Sequence, residues 1–145
     1  MSKSPQQIKL LDSPLQLPTG LVYKPDFITH EEEAYIISHL ELIPLEAARV
    51  REYTAKRRHF NFGWNYDFEK KKLISGPPLP PFLKRLQIRI AKWLDISPKR
   101  VVEALVNEYS PGSPLGWHKD NEDFEHIVGI SLAGWAQIKF RPIKQ

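Results

Sequence analysis

From Val101 onward the chain reads in steps of two, broken at short intervals by proline and glycine. That alternation restricts its second half to short strands and tight turns. In Val101-Val-Glu-Ala-Leu-Val-Asn-Glu-Tyr109 the period places Leu105, Asn107 and Tyr109 on one face. Ser110-Pro-Gly-Ser-Pro114 marks a turn, and His118 and Asp120 share the face that follows. Ile127 to Leu132 reads as a buried strand, and Ala136 to Arg141 alternates around Ile138 and Phe140.

The first half carries a longer period. Leu10 to Leu17 is apolar with prolines nearby, and Gly20 to Ile28 reads as a short strand running into a turn. Thr29 with Glu32 three residues on has the form of a capping box, and Ile36, Ile37 and Leu40 make an apolar stripe. This predicts a helix that ends near Ile43-Pro44. A second helix is predicted from Pro81 near a first turn and from Phe82, Leu83, Leu86, Ile90, Trp93 and Leu94 at helical spacing. Lys84, Arg85, Arg89 and Lys92 fall off its stripe, and it ends around Asp95 to Pro98. Between the helices, Lys56 to Phe68 alternates aromatic and polar residues around Gly63, a strand or hairpin signal. Lys70-Lys-Lys72 and the proline-rich Ser75 to Pro81 read as an exposed connection. Two helices followed by short strands predict an α+β domain whose β part is a barrel or double-sheet sandwich.

At 145 residues the chain is the size of one domain that buries about two thirds of its extended surface. We read residues 1–19 as an N-terminal extension and 20–145 as the domain. There is no cysteine, which excludes disulfides, thiolate metal sites and thiol catalysis. The polar start has no signal-peptide core and no run reaches membrane-span length, so the expectation is a soluble, cytoplasmic protein with no membrane partner. The net charge of +4 is unevenly spread: Arg49 to Arg100 holds 14 Lys and Arg against 4 Asp and Glu, the remainder 7 against 13. A segment at +10 suits a polyanion, and equally a solvated face.

His118-x-Asp120 supplies an imidazole and a carboxylate two residues apart. A facial-triad Fe(II) site needs two imidazoles and one carboxylate on one side of the metal, with open positions opposite. The second imidazole is not evident. His126 lies close behind Asp120, and His30, His39 and His59 belong to earlier elements whose placement sequence alone leaves open.

The ordered set Asn107-x-Tyr109, Pro111-Gly112, Gly116, His118-x-Asp120 and the Ser131-Leu132 strand resembles the AlkB-like family of Fe(II)- and 2-oxoglutarate-dependent dioxygenases. Upstream, Arg57-Arg58 with Phe62-Gly63-Trp64-Asn65-Tyr66-Asp67-Phe68 is similar to the family's substrate-side segment, so the resemblance covers about Gly20 to Arg141. It implies a double-stranded β-helix, or jelly roll, with N-terminal helices, and Fe(II) and 2-oxoglutarate as cofactors. His118 and Asp120 would ligate the iron, and Asn107 and Tyr109 would hydrogen-bond 2-oxoglutarate. Phe62, Trp64 and Tyr66 would face an extruded base, although for each of them hairpin packing is an equal reading. Arg57, Arg58 and Lys70 to Lys72 would meet phosphates, and Glu122 and Asp123 could contact substrate or simply be solvated. The activity implied is oxidative demethylation of alkylated DNA or RNA bases, single strands favoured, as in DNA repair. Oligomeric state is left open.

The family pattern continues with a distal histidine and with arginines that pair with 2-oxoglutarate, and these do not occur before Gln145. The expectation is therefore a domain incomplete at its C-terminus, lacking the last strands. Two alternatives stand beside the enzyme: a non-catalytic nucleic-acid-binding module of the same family, and an unrelated small basic β-rich interaction domain.

Overall fold

The computed structural model describes residues 16–50, 53–67 and 69–143. Leu10 to Leu15, most of the apolar N-terminal stretch, and Phe68 lie outside the described residues. Helix α1 spans His30–Leu40, followed by β1 (Glu46–Val50), β2 (Tyr53–Asp67) and β3 (Lys72–Ser75). A 3-10 turn at Pro81–Leu83 leads into α2 (Lys84–Leu94), and a second at Pro98–Arg100 precedes β4 (Glu103–Glu108).

The capping box forms as its residues predict. Thr29 Oγ1 accepts the Glu32 N–H at 3.1 Å while the Glu32 carboxylate accepts the Thr29 N–H at 2.8 Å, and Glu31, Glu32 and Glu33 fill the positive end of the helix dipole. Glu32 works twice. Its carboxylate also pairs with the Arg89 guanidinium of α2, which reaches on to the Phe27 carbonyl at 2.9 Å. The Arg89 donors and then the Thr29 N–H hold the Glu32 carboxyl down at about 2. Phe27 and Trp93 rings lie 5.2 Å apart beside this link, with the Lys24 ammonium 5.5 Å from the Phe27 ring centre. α2 stops where Asp95 turns left-handed at φ 53°.

The fold class is mixed helix and antiparallel sheet, but the order differs from helices followed by strands, because three strands lie between the helices. β2 is the centre of the sheet. It pairs antiparallel with β1 (Glu46↔His59, Ala47↔Arg58), with β4 (Arg58↔Glu108 through Gly63↔Glu103) and with β3 (Trp64↔Ser75 through Asp67↔Lys72). Gly63 is therefore not a hairpin turn. It is a bend inside one 15-residue strand, at φ +80°, where a Cβ would lie 2.0 Å from the Val102 carbonyl oxygen and 2.9 Å from Leu79 Cδ1. Its N–H donates to the Pro77 carbonyl, its carbonyl accepts from Gly76, and Trp64 N–H donates to Val102, so three chain segments meet where only glycine fits. Lys72 to Ser75, read partly as connection, is a strand because it continues this ladder.

Two further strand expectations fail. Gly20 to Ile28 holds turns rather than a strand, and residues 109–143 contain no strand at all. An apolar alternating segment becomes a strand only when a neighbour accepts its backbone bonds, and none of the described residues does so for Ile127 to Leu132 or Ala136 to Arg141. Ile127 is exposed, and Trp135 is 88% exposed. Among the described residues, the buried apolar ones, Ile36, Phe62, Leu83 and Ala91, all lie before β4.

Candidate functional site

β4 ends at Glu108, and the chain leaves it through Tyr109 into the predicted turn, closed by the Ser113 N–H on the Ser110 carbonyl at 3.0 Å. The turn delivers Gly116, Trp117 and His118. His118 Nδ1 lies 2.8 Å from the Gly116 carbonyl oxygen, which can only accept, so Nδ1 carries the proton. In the neutral ring this leaves the Nε2 lone pair free, the tautomer a metal-binding imidazole needs. Nε2 sits 3.2 Å from Asp120 Oδ1, with both side chains about half exposed. Two ligands at adjacent octahedral positions, each about 2.1 Å from a metal, stand about 3 Å apart. The imidazole and carboxylate thus fit one edge of a metal's coordination shell in donor type and in spacing. Among the described residues, no third His, Asp, Glu or Cys joins them.

The residues singled out as cosubstrate-holding lie nearby in sequence and face open space. Asn107 and Tyr109 are exposed, and neither side chain has a hydrogen-bond partner among the described residues. A free amide and a free phenol fit a ligand rich in carboxylate oxygens. Register across β2 and β4 sets His59 directly opposite Asn107, on the same face. The sequence alone does not fix where His59 lies. The period of two on each strand was visible, but only the pairing shows which residues meet.

The arginines separate. Arg58 lies on the opposite face from His59 and grips Glu108 with a two-bond fork, Nε to Oε1 at 2.7 Å and NH2 to Oε2 at 2.9 Å. Arg57, one residue earlier, has no such partner among the described residues. Below them Asn61 Nδ2 donates to Glu103 Oε1 at 2.9 Å, and burial pushes the Glu103 carboxyl up against the lowering effect of that bond. Of the aromatic group, Phe62 is buried against Phe60, with ring centres 4.8 Å apart. Trp64 is 46% exposed and shares a face of the β2–β3 pair with Tyr66. Lys70 pairs with Asp67 at 3.6 Å, and Glu122 pairs with Lys119. The loop carrying His118 is held at three places: Arg100 pairs with Glu125, the Ala133 N–H donates to Glu33 Oε1 at 2.7 Å, and the Arg141 guanidinium stacks 4.2 Å from the Trp117 ring centre.

Comparison with known proteins gives this geometry a family. The model of the 2OG-Fe(II) oxygenase superfamily matches residues 20–145. An uncharacterized protein of Acanthamoeba polyphaga mimivirus is 29% identical over 120 residues, covering 79% of this chain and 53% of its own length. The tRNA (carboxymethyluridine(34)-5-O)-methyltransferase ALKBH8 of Macaca fascicularis is 25% identical over 134 residues, covering 88% of this chain and 20% of its own length. The chain therefore spans about half of one relative and a fifth of the other. No solved structure matches significantly. The chain belongs to the 2OG-Fe(II) oxygenase superfamily as an AlkB-like member, and Fe(II) and 2-oxoglutarate are the cofactors that membership implies.

Proposed function

We propose, from membership of the 2OG-Fe(II) oxygenase superfamily, that this chain carries the proximal part of an AlkB-type active site and acts in oxidative dealkylation of nucleic acid bases. The observation that carries the reading is the His118–Asp120 edge: an imidazole whose Nδ1 proton is engaged by Gly116, and whose Nε2 stands 3.2 Å from a carboxylate oxygen. His118 and Asp120 hold Fe(II), and Asn107 and Tyr109 orient 2-oxoglutarate beside it. When bound, Fe(II) and 2-oxoglutarate would supply the oxidation together with dioxygen, one oxygen atom going to succinate as 2-oxoglutarate loses CO2 and the other to a methyl group on a base nitrogen, whose carbon then leaves as formaldehyde. The protein's part is to place the ligands and present the base. Trp64 and Tyr66 offer rings on one strand face for stacking. A segment at +10 from Arg49 to Arg100 supports a polyanionic substrate, and the similar ALKBH8 carries tRNA in its name. We take methylated single-stranded DNA or RNA as the first substrates to try.

The test is anaerobic Fe(II) and 2-oxoglutarate binding by the purified chain beside a His118→Ala, Asp120→Ala double variant. Micromolar binding that the double variant loses supports the site, and formaldehyde release from methylated single strands then tests the substrate. No binding above the variant removes the enzymatic reading. A second reading, a non-catalytic nucleic-acid-binding module, is favoured by one observation: no third metal-ligating side chain stands beside His118 and Asp120 among the described residues. Oligonucleotide affinity without cofactor binding is its signature.

A further inference from the structure

We infer that the exposed stripe of α2, with Lys84, Arg85 and Lys92 set around Ile88, is a docking surface for the phosphate backbone of a nucleic acid. The inference rests on the reading of the substrate as a nucleic acid, and it says which part of the basic segment meets it. Three observations carry it. The first is placement. At about 100° of turn per residue, Lys84, Arg85, Ile88 and Lys92 fall within one arc of about 100°. All four are exposed, Ile88 by 47%. The rest of the helix faces inward: Ala91 is buried, Trp93 packs on Phe27, and Gln87 Nε2 donates to the Pro98 and Val101 carbonyls at 3.0 Å. These contacts hold the helix with its cations turned out, over about 12 Å from Lys84 to Lys92.

The second observation is pairing. Arg58, Arg89 and Arg100 each hold an acid already, Glu108, Glu32 and Glu125. α2 itself has four cations and no Asp or Glu from Lys84 to Leu94, so its exposed face offers no partner one turn away. Arg89, off the exposed arc, takes Glu32, and Arg85 feels that carboxylate without forming an ion pair. Among the described residues Arg85 and Lys92 have no ion pair or side-chain hydrogen bond, Asp95 at the C-cap included, and Lys84 has only the Gln87 amide at 3.4 Å.

The third observation is where the charge sits. α1 fills its first turn with Glu31, Glu32 and Glu33, as the helix dipole favours, whereas α2 opens with Lys84 and Arg85 and no acid. Cations at the positive end of a helix work against the helix and raise the potential that an anion meets there. A phosphate backbone brings closely spaced negative charges to such an arc. An anionic membrane surface is the other extended polyanion, but it also takes up the apolar face of a helix. The apolar face of α2 is turned inward against Phe27, which leaves Ile88 alone on the exposed arc.

The experiment measures the affinity of the full chain for a short single-stranded oligonucleotide across a salt series. Lys84→Gln, Arg85→Gln and Lys92→Gln together are expected to weaken binding about tenfold or more, alike on unrelated sequences. At about 0.7 per phosphate contact, the same variant should make the dependence of log affinity on log salt shallower by about 2. Lys84→Arg, Arg85→Lys and Lys92→Arg together keep the charges and should keep both affinity and slope. Lys70→Gln, Lys71→Gln and Lys72→Gln remove the same charge from the loop between β2 and β3 and should cost less. An unchanged slope in the α2 variant, or an equal loss in the loop variant, overturns the inference and leaves the nucleic-acid reading standing. If the α2 variant loses binding to anionic phospholipid vesicles while oligonucleotide binding is intact, the stripe is a membrane contact and the inference is overturned. If the unmodified chain binds no oligonucleotide, the inference falls together with the reading beneath it. All three side chains are exposed, so the α2 variant should melt no earlier than the unmodified chain. Where it does melt earlier, Lys92→Gln alone decides, with an expected slope change of about 0.7.

Discussion

β2 and the segment from 109 to 143 are built in opposite ways. β2 is fifteen residues bonded to three other strands, bent at a glycine wedged between two further segments. The later segment carries His118 and Asp120 yet has no strand or helix. It is held by a turn at Ser110, an ion pair to Arg100, one bond to Glu33 and a cation stacked on Trp117. The difference teaches where order comes from in this chain. Shape is fixed by the backbone pairing around β2, while the His118–Asp120 edge is fixed by a spacing of two residues and a single carbonyl. A local motif can form its geometry on a sparsely bonded segment, but it cannot lend that segment stability.

The comparison breaks most easily at Gly63. Gly63→Ala places a methyl against the Val102 carbonyl in a left-handed backbone, and we expect a loss of about 3 kcal/mol or more in denaturant unfolding. If stability is unchanged, β2 is not the organising strand. Hydrogen exchange sharpens the contrast next: amides of β2 and β4 should be strongly protected and most amides of residues 109–143 weakly so. Fe(II) with 2-oxoglutarate should add protection chiefly around His118. Uniform protection would erase the distinction.

Acid titration probes the helical side of the scaffold. Because Glu32 is held at about 2, well below an ordinary carboxyl, its contribution is complete above about pH 4.5 and is lost as pH falls toward 2. Glu32→Gln should show a shallower fall in melting temperature over that window than the unmodified chain, from a lower starting value. The smallest effect is expected at Glu103. Its carboxyl is raised, so the folded state holds a proton the unfolded chain releases, and stability declines as pH rises above the ordinary carboxylate range. Glu103→Gln keeps an acceptor for Asn61 and should flatten that decline while leaving the melting temperature near pH 7 equal or slightly higher.

Much of this was legible in the sequence where the signal was local. Thr29 and Glu32 announce α1 because a capping box is complete within four residues, and the apolar spacing of Leu83 to Leu94 announces α2 for the same reason. The His118 and Asp120 pair was equally readable, since two residues in extended chain share a face. What was not legible depended on partners. β3 exists because β2 is there to pair with it, and the choice between strand and hairpin around Gly63 depends on Val102 and Pro77, which bond to the bend within one strand. Ile127 to Leu132 has the composition of a buried strand and no neighbour among the described residues to make it one. His59 could not be related to Asn107 before register was known, because 48 positions separate them.

Glu32 has one more consequence. The same carboxylate that closes the first turn of α1 also receives the guanidinium of α2, so neither helix can release it without disturbing the other. Two eleven-residue helices far apart in the chain are thereby joined into one cooperative unit. Their slowest amides should open together, with one free energy, as a single foldon rather than as two fraying helices.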